Sequence, residues 1–513
     1  MSKLSKVNSI YTQALDARLA EVEVDVGAGI PSLTIVGLPD KAVEEAKERV
    51  KLAIRNSGLS FPDKKIIVNL APADQKKEGP LYDLPIAIGI LAATGMINAE
   101  RVKKTILMGE LSLAGEIKPV KTVIQAAELA RDKNYNLIIP DLNRVEAELI
   151  EGVSLFSPPD LRELFKALSG ESEFLQKTKK PHIVYRDDFE DYDFQNIVGQ
   201  FMAKRALEIA ASGGHNILLY GSPGGGKTLL SKSIVSILPP LNEEEMLEVT
   251  KIYSVAGLLS SECPIVNSRP FLSPHHTTSP VAIIGGGTVP KPGAVSLSHK
   301  GVLFLDEFPE FPRSVLEALR QPLEDKMVTI SRAQGSISYP ADFMLIAAEN
   351  PCPCGFYGDP KRECTCSTTQ ILSYKKKVSG PMLDRIDLHL EVEKIPLKQI
   401  KSKSKEESSK EVRKRVEKAR QIAHLRSKNL LKKPKLNCAL NSREISIIAP
   451  LDPSGEKLLE DACEKLDLSM RQYLKVQKIA RTIADLEGTE KISISHLSEA
   501  LQYRSKRGEQ NGI

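Results

Sequence analysis

The chain runs to 513 residues, more than one hydrophobic core ordinarily supports, so two or three domains are expected. Charged residues make up 27% and hydrophobic ones 41%, the balance of a soluble globular protein, and a net charge of +5 permits nucleic acid as a partner without requiring it. Seven dispersed cysteines, an odd number, argue against a disulfide scaffold and for a reducing cytoplasm. Met1 to Asn8 lack the apolar core of a secretory signal. The longest apolar stretch, Leu84 to Ile97, contains Pro85 and two glycines and is too short to span a bilayer; it reads as a buried helix.

In chain order, Leu19 to Val26 alternates Val22, Val24 and Val26 with Glu21, Glu23 and Asp25, the period of a half-exposed strand. Val43, Ala46, Val50, Ala53 and Ile54 recur at helical spacing between Ala42 and Ser57. Ile66 to Leu70 and Leu137 to Ile139 read as strands, with a helix at Val123 to Arg131 between them, so residues 1–169 are expected to form an α+β domain. Residues 170–193, with Lys177 to Lys180 and an acidic run from Asp187 to Asp191, read as a linker. An α/β core is expected over 194–398, a second exposed crossing over 399–410, and a helical segment over 411–508 with helices at Val412–Ser427, Ser454–Leu466, Met470–Leu486 and Ser495–Tyr503.

The α/β segment carries the most specific signal. Gly221-Ser222-Pro223-Gly224-Gly225-Gly226-Lys227-Thr228 is a complete phosphate-binding loop, set between the apolar run Ile217 to Tyr220 and a helical pattern beginning at Leu229. Glycines let successive backbone N–H groups converge on phosphate oxygens, and the helix that follows turns its positive end to the same place. Lys227 is placed to reach the β- and γ-phosphates and the Thr228 hydroxyl to ligate Mg²⁺, which makes ATP with Mg²⁺ the expected ligand.

Val302 to Leu305 is an apolar strand ending in Asp306 and Glu307; these acids suit holding Mg²⁺ through water and polarising the attacking water. Phe343 to Ala348 is another strand, with Asn350 just past its end, either a water-orienting amide or an Asn-Pro turn. Arg385, beside Asp384 and Asp387, is either an arginine for a neighbouring subunit's γ-phosphate or one arm of a surface ion pair. Arg471 opens a helix and could close over the phosphates. Cys352-Pro353-Cys354 and Cys364-Thr365-Cys366 are two Cys-x-Cys pairs that can make a tetrahedral zinc site, or a reduced turn shaped by Pro and Gly. His275 and His276, taken as one strand, should point to opposite faces; loop structure or contacts near the nucleotide are favoured over metal.

Several stretches go beyond a generic ATPase: Asn196 to Gln200, the loop at 221–228, Ser273-Pro274-His275-His276-Thr277-Thr278-Ser279, Ile284 to Gly287, Gly301 to Glu307, Asn350 to Gly355, Gly380 to Asp387 and Ala480 to Leu486. On these the chain resembles, along nearly its full length, the magnesium-chelatase-like AAA+ ATPases of the YifB/ComM family. The resemblance implies Lys227, Thr228, Asp306 and Glu307 as the ATP–Mg²⁺ core, Asn350 as sensor 1, Arg385 as a trans arginine finger and Arg471 as sensor 2. It also implies a hexameric homo-oligomer, because a trans finger leaves no subunit with a complete site of its own. Glu349 departs from the family, whose members usually carry Met there.

Gly109 to Val120 with the helix after it, and Glu78 to Leu84, resemble the proteolytic domain of Lon proteases. The dyad serine position is Leu81 and the lysine position Ile124, with Lys121 close by, so peptidase activity is not expected and the domain is read as supporting assembly or a protein partner. The family resemblance makes a DNA translocase or branch-migration helicase in DNA uptake or recombination the leading expectation. The alternative is a protein-remodelling or assembly ATPase of chelatase type that does not act on DNA. Candidate DNA-facing loops are Thr288–Lys300, with Lys291, His299 and Lys300, and Ser331–Tyr339, with Arg332.

Overall fold

In the computed structural model, which describes residues 3–77, 79–170, 176–178, 190–260, 262–287, 290–332, 335–395 and 406–504, the alternating segment at 19–26 becomes part of a long hairpin. Strand β1 (Lys3–Gln13) pairs antiparallel with β2 (Asp16–Gly27) from Lys3↔Val26 to Gln13↔Asp16. Most of the linker expected over 170–193, residues 399–405 of the second crossing and residues 505–508 of the helical segment lie outside the described residues. The chain divides into two units, Met1–Val184 with Glu243–Asn267, and Tyr185–Asn242 with Ser268–Ile513.

The first unit is an eight-stranded mixed sheet. Its remaining strands are β3 (Ser32–Val36), β4 (Lys65–Ala71), β5 (Thr105–Leu107), β8 (Asn136–Ile138), β9 (Ser154–Phe156) and β10 (Gln176–Lys177), and the order is β10-β9-β8-β5-β1-β2-β4-β3. A separate small hairpin pairs β6 (Glu110–Leu111) with β7 (Ile117–Lys118). Ala20, Val22 and Val24 of β2 are fully buried, as a period of two on a one-sided core requires. Helix α1 (Lys41–Asn56) starts where Asp40 accepts from the Val43 N–H at 2.9 Å, and it buries Val43, Ala46, Val50, Ala53 and Ile54. The apolar stretch forms helix α2 (Asp83–Ala93), buried at every position as a helix apolar all round must be. A Cβ at its Gly89 would meet Val24 Cγ2 at 2.6 Å, so glycine sets how closely α2 lies on the sheet. Helix α3 (Val123–Lys133) packs in the same unit as the helix Glu243–Ala256: Gln125 donates to the Lys251 carbonyl at 3.2 Å and Lys251 pairs with Glu128 at 2.5 Å. Residues 243–267 thus leave the segment from which the sequence builds its ATPase core and fold with the first unit.

The second unit is built on a parallel five-stranded sheet of β11 (Ile217–Tyr220), β12 (Phe271–Leu272), β15 (Val302–Leu305), β18 (Met344–Glu349) and β19 (Leu388–Glu391), in the order β12-β15-β18-β11-β19. Their near-continuous apolar runs are those of strands covered on both faces. Two hairpins project from this frame, β13 (Gly285–Gly286) with β14 (Lys291–Pro292), and β16 (Met327–Arg332) with β17 (Gly335–Pro340). Helices Ser409–Leu431, Ser442–Ile448, Pro453–Leu466, Met470–Glu487 and Ile494–Gln502 follow. Capping boxes at Ser408/Glu411, Asn441/Glu444, Ser469/Gln472 and Ser493/His496 start four of them. One apolar core joins Leu219, Ile234, Phe304 and Ile346 around the sheet to Val416, Ile479, Ile483 and Leu497 of these helices.

Candidate active site

The phosphate loop leaves the C-terminal end of β11 with positive φ at Gly221 (151°), Gly224 (82°) and Gly226 (86°). A Cβ at Gly221 would lie 2.4 Å from the Val392 carbonyl oxygen, so glycine alone lets the chain turn beneath the end of β19. The helix Lys227–Ile237 begins on the loop's last turn. The Lys227 side chain is buried; its Nζ donates to the carbonyls of Gly221 at 2.6 Å and Ser222 at 3.2 Å, and to Asn350 Oδ1 at 3.2 Å. Burial lowers its pKa below the usual lysine value, with the Asp306 and Glu349 carboxylates acting against the shift. Glu349 closes β18 opposite Tyr220, and its carbonyl accepts from the Gly221 N–H at 3.3 Å.

Thr228 donates its hydroxyl to Asp306 Oδ2 at 2.8 Å, and Asp306 Oδ1 accepts from the Glu307 N–H at 2.9 Å. Because β15, β18 and β11 are parallel neighbours, Asp306, Asn350 and the loop all emerge at one edge of the sheet, where open α/β sheets bind ligands. Glu307 holds a left-handed backbone (φ 52°), which for a residue with a Cβ costs on the order of 1–2 kcal/mol. Its Oε2 lies 3.1 Å from His276 Nδ1. His275 and His276 do not lie on a strand with opposed rings; they sit at a turn, their ring centroids 4.1 Å apart, and His276 reaches the acid next to Asp306. The Ser-Pro-His-His stretch carried that signal, but only tertiary packing shows which histidine meets Glu307. The donor set fits a triphosphate with a hard divalent cation: backbone N–H groups, an ammonium, and a hydroxyl beside a carboxylate.

Arg385 stands elsewhere. It precedes β19, its carbonyl accepts from Asn216 Nδ2 at 2.9 Å, and Asn216 precedes β11. Since β11 and β19 are parallel, Arg385 occupies the amino-terminal edge of the sheet, a strand's length from the loop at the other edge. Its guanidinium pairs with Glu324 and bonds the Pro381 carbonyl, each at 2.5 Å, while Nε is buried with no partner among the described residues. Arg471 is exposed on the first turn of helix Met470–Glu487 and makes no hydrogen bond or ion pair among the described residues. One turn later Lys475 Nζ bonds the Ile386 carbonyl at 2.8 Å, so this part of the helix faces the Arg385 segment. One chain therefore brings Lys227, Thr228, Asp306, Glu307 and Asn350 together and leaves Arg385 apart.

Cys352, Cys354, Cys364 and Cys366 converge, their four sulfurs within 4.8 Å of one another. The other cysteines, Cys263, Cys438 and Cys463, are free thiols, the first exposed and the others half-buried. In the first candidate DNA loop, residues 288 and 289 lie outside the described residues. Lys291 is exposed, but His299 is buried with Nδ1 accepting from the Asp342 N–H at 3.0 Å, and Lys300 pairs with Asp342 at 3.1 Å. In the second, residues 333 and 334 and the side chain of Arg332 lie outside them. In the first unit, Leu81 packs on the apolar cluster that contains Ile124, Lys121 is exposed, and Ser112 Oγ accepts from the Glu116 N–H at 3.1 Å. Glu78 lies outside the described residues. Among the described residues no helix is long and apolar enough to cross a membrane.

The strand order, the phosphate loop, the paired acids and the helical segment behind them define a magnesium-chelatase-like AAA+ fold, preceded by a Lon-like α+β unit. Residues 193–400 match the family described as magnesium chelatase, subunit ChlI; residues 22–143 match the subunit ChlI domain and residues 406–504 its C-terminal domain. The chain is 42% identical to competence protein ComM of Haemophilus influenzae, over 98% of this chain and 97% of that one. It is 43% identical to YifB of Salmonella typhimurium, over 97% and 96%. It is also 28% identical to Lon protease 2 of Bacillus subtilis, over 31% and 33%. The chain belongs to the YifB/ComM family of magnesium-chelatase-like AAA+ proteins, a family membership that suggests ATPase activity and implies ATP and Mg²⁺.

Proposed function

We propose that this chain is an ATP-hydrolysing motor that works as a hexameric ring and moves DNA, driving branch migration during DNA uptake or recombination. The observation that carries the reading is the split site: Lys227 and its partners at one edge of the sheet, Arg385 at the other. In a ring, Arg385 of a neighbouring copy completes the site. The loop N–H groups and Lys227 hold the triphosphate, and Thr228 and Asp306 hold the magnesium ion that accompanies it. Glu307 takes the proton of the attacking water, steered by His276, and Asn350 fixes Lys227. The DNA reading draws support from the Haemophilus relative, named as a competence protein.

The test mixes two inactive chains. Lys227→Ala and Arg385→Ala should each abolish turnover, the first with loss of nucleotide binding and the second without it. A one-to-one mixture rebuilds about a quarter of the interfaces, with the loop from one chain and the arginine from the other. Partial recovery of ATPase activity is expected. A mixture as inactive as its components, or an Arg385→Ala chain that turns over at full rate, overturns the proposal.

A further inference from the structure

We infer that Cys352, Cys354, Cys364 and Cys366 bind one Zn²⁺ whose loop forms the wall behind the phosphate loop, so that nucleotide affinity depends on the metal. Residues 351–366 form neither helix nor strand, and Cys352 and Gly355 are their only buried members. A segment of this length without secondary structure cannot hold one conformation through its own packing.

The sulfurs supply a centre. Cys352 Sγ and Cys354 Sγ are 3.3 Å apart, and Cys364 Sγ lies 3.7 Å from the first and 3.5 Å from the second. A disulfide pairs two sulfurs and excludes a third, whereas Cys364 is shared almost equally between two. Four thiolates at the zinc–sulfur bond length span a tetrahedron with edges of about 3.8 Å, close to these separations. A multi-iron cluster, with its irons bound to separate thiolates, needs the sulfurs spread farther apart. Backbone N–H groups already point at sulfur, Tyr357 at Cys352 (3.3 Å) and Cys354 at Cys366 (3.4 Å), the outer hydrogen bonds that orient metal-bound thiolates. Among the described residues no acid or histidine joins the cluster, and an all-sulfur tetrahedral set selects zinc over hard cations.

The same loop is fastened to the nucleotide site, so this part of the inference rests on the phosphate-loop reading above. Gly355 lies so close to Pro223 that a Cβ would be 2.5 Å from the proline ring. Asp359 pairs with Lys394 at 2.6 Å and hydrogen-bonds Ser222 of the phosphate loop. Asn350, which accepts from Lys227, is two residues from the first ligand. Loss of the metal would release Pro223, Ser222 and Asn350 together.

The experiment measures zinc by elemental analysis in the full chain purified without added metal or chelating tags, and then fluorescent-ATP affinity. One zinc per chain is expected, with the intense visible bands of tetrahedral thiolate coordination after growth on cobalt. Cys364→Ser/Cys366→Ser should lose the metal and weaken ATP binding at least tenfold while far-ultraviolet circular dichroism is kept. Cys366→His, which preserves a ligand, should retain both metal and affinity and shows that the effect is not a general folding defect. Zinc well below stoichiometry, or iron in its place, overturns the site. Zinc present but ATP affinity unchanged on its loss overturns the coupling. Failure of the phosphate-loop reading would look different, because Lys227→Ala would then bind ATP as the unmodified chain does.

Discussion

Glu146 lies in the short helix Arg144–Glu148 of the first unit, with one oxygen accepting from Asn143 Nδ2 at 2.9 Å and the other buried without a partner among the described residues. Burial raises its pKa from the ordinary 4.5 to about 7. The folded chain thus holds this proton more tightly than the unfolded chain. The stabilisation is complete below about pH 4.5 and is lost as pH rises through about 7. Glu146→Gln should therefore stabilise the chain by roughly 1–3 kcal/mol near pH 8.5 and by almost nothing near pH 4.5. Melting curves at the two pH values check this, and a gap that does not widen with pH refutes it. The sequence could not single out this residue, because nothing local distinguishes a buried glutamate from a solvated one. Lys227 and Thr228 were legible, since glycine spacing and the flanking strand and helix are local signals. The His276–Glu307 pair needed two segments about thirty residues apart to be brought together.

Among the elements, the helices Ser409–Leu431 and Met470–Glu487 are joined by a buried polar network centred on Asp485. Asp485 accepts from Arg481 Nε at 3.1 Å, from Asn437 at 2.9 Å and from Arg426, while Arg481 donates to the carbonyls of Thr489 and Glu490. Thr482, on the same helix, bonds His215 at 2.8 Å, and His215 bonds Asp387 at 3.0 Å, carrying the network to the sheet edge below Arg385. Asp485→Ala would leave two guanidinium groups uncompensated and should cost about 3–5 kcal/mol, read as a lower denaturation midpoint of the full chain. A midpoint unchanged from the parent would mean that apolar packing alone holds these helices. Four of the helices were readable from their period, and capping pairs mark where three of those four start. The strand Lys3–Gln13 and the helix Ser442–Ile448 were not. The strand buries Ser5 and Ser9 beside Val7 and leaves Leu4 exposed, so no apolar alternation shows, and the helix is too short to show a period.

At the scale of the whole molecule, the proposed ring must grip a polyanion. ATPase activity should rise with forked DNA, and the apparent DNA affinity should fall steeply between about 50 and 200 mM salt, as release of condensed counterions requires. Lys291→Ala, at the exposed first residue of β14, should reduce the slope of that dependence by about one unit. Stimulation by protein alone, or a response indifferent to salt, would favour the protein-remodelling alternative. The placement of Arg385 across the sheet from the loop could not be read from its neighbours in sequence. It follows from strand order, which only the folded chain supplies.

The excursion of residues 243–267 into the first unit means that the two units are not beads joined by one string. The backbone passes between them three times, at 184–185, 242–243 and 267–268. A fragment beginning at Tyr185 would carry Met246, Val249 and Ile252, buried in the intact chain, without the helix α3 that their segment bonds to. A cut at 184–185 therefore separates the first unit from residues 243–267 of its own fold, and the two units cannot be divided by one break in the chain.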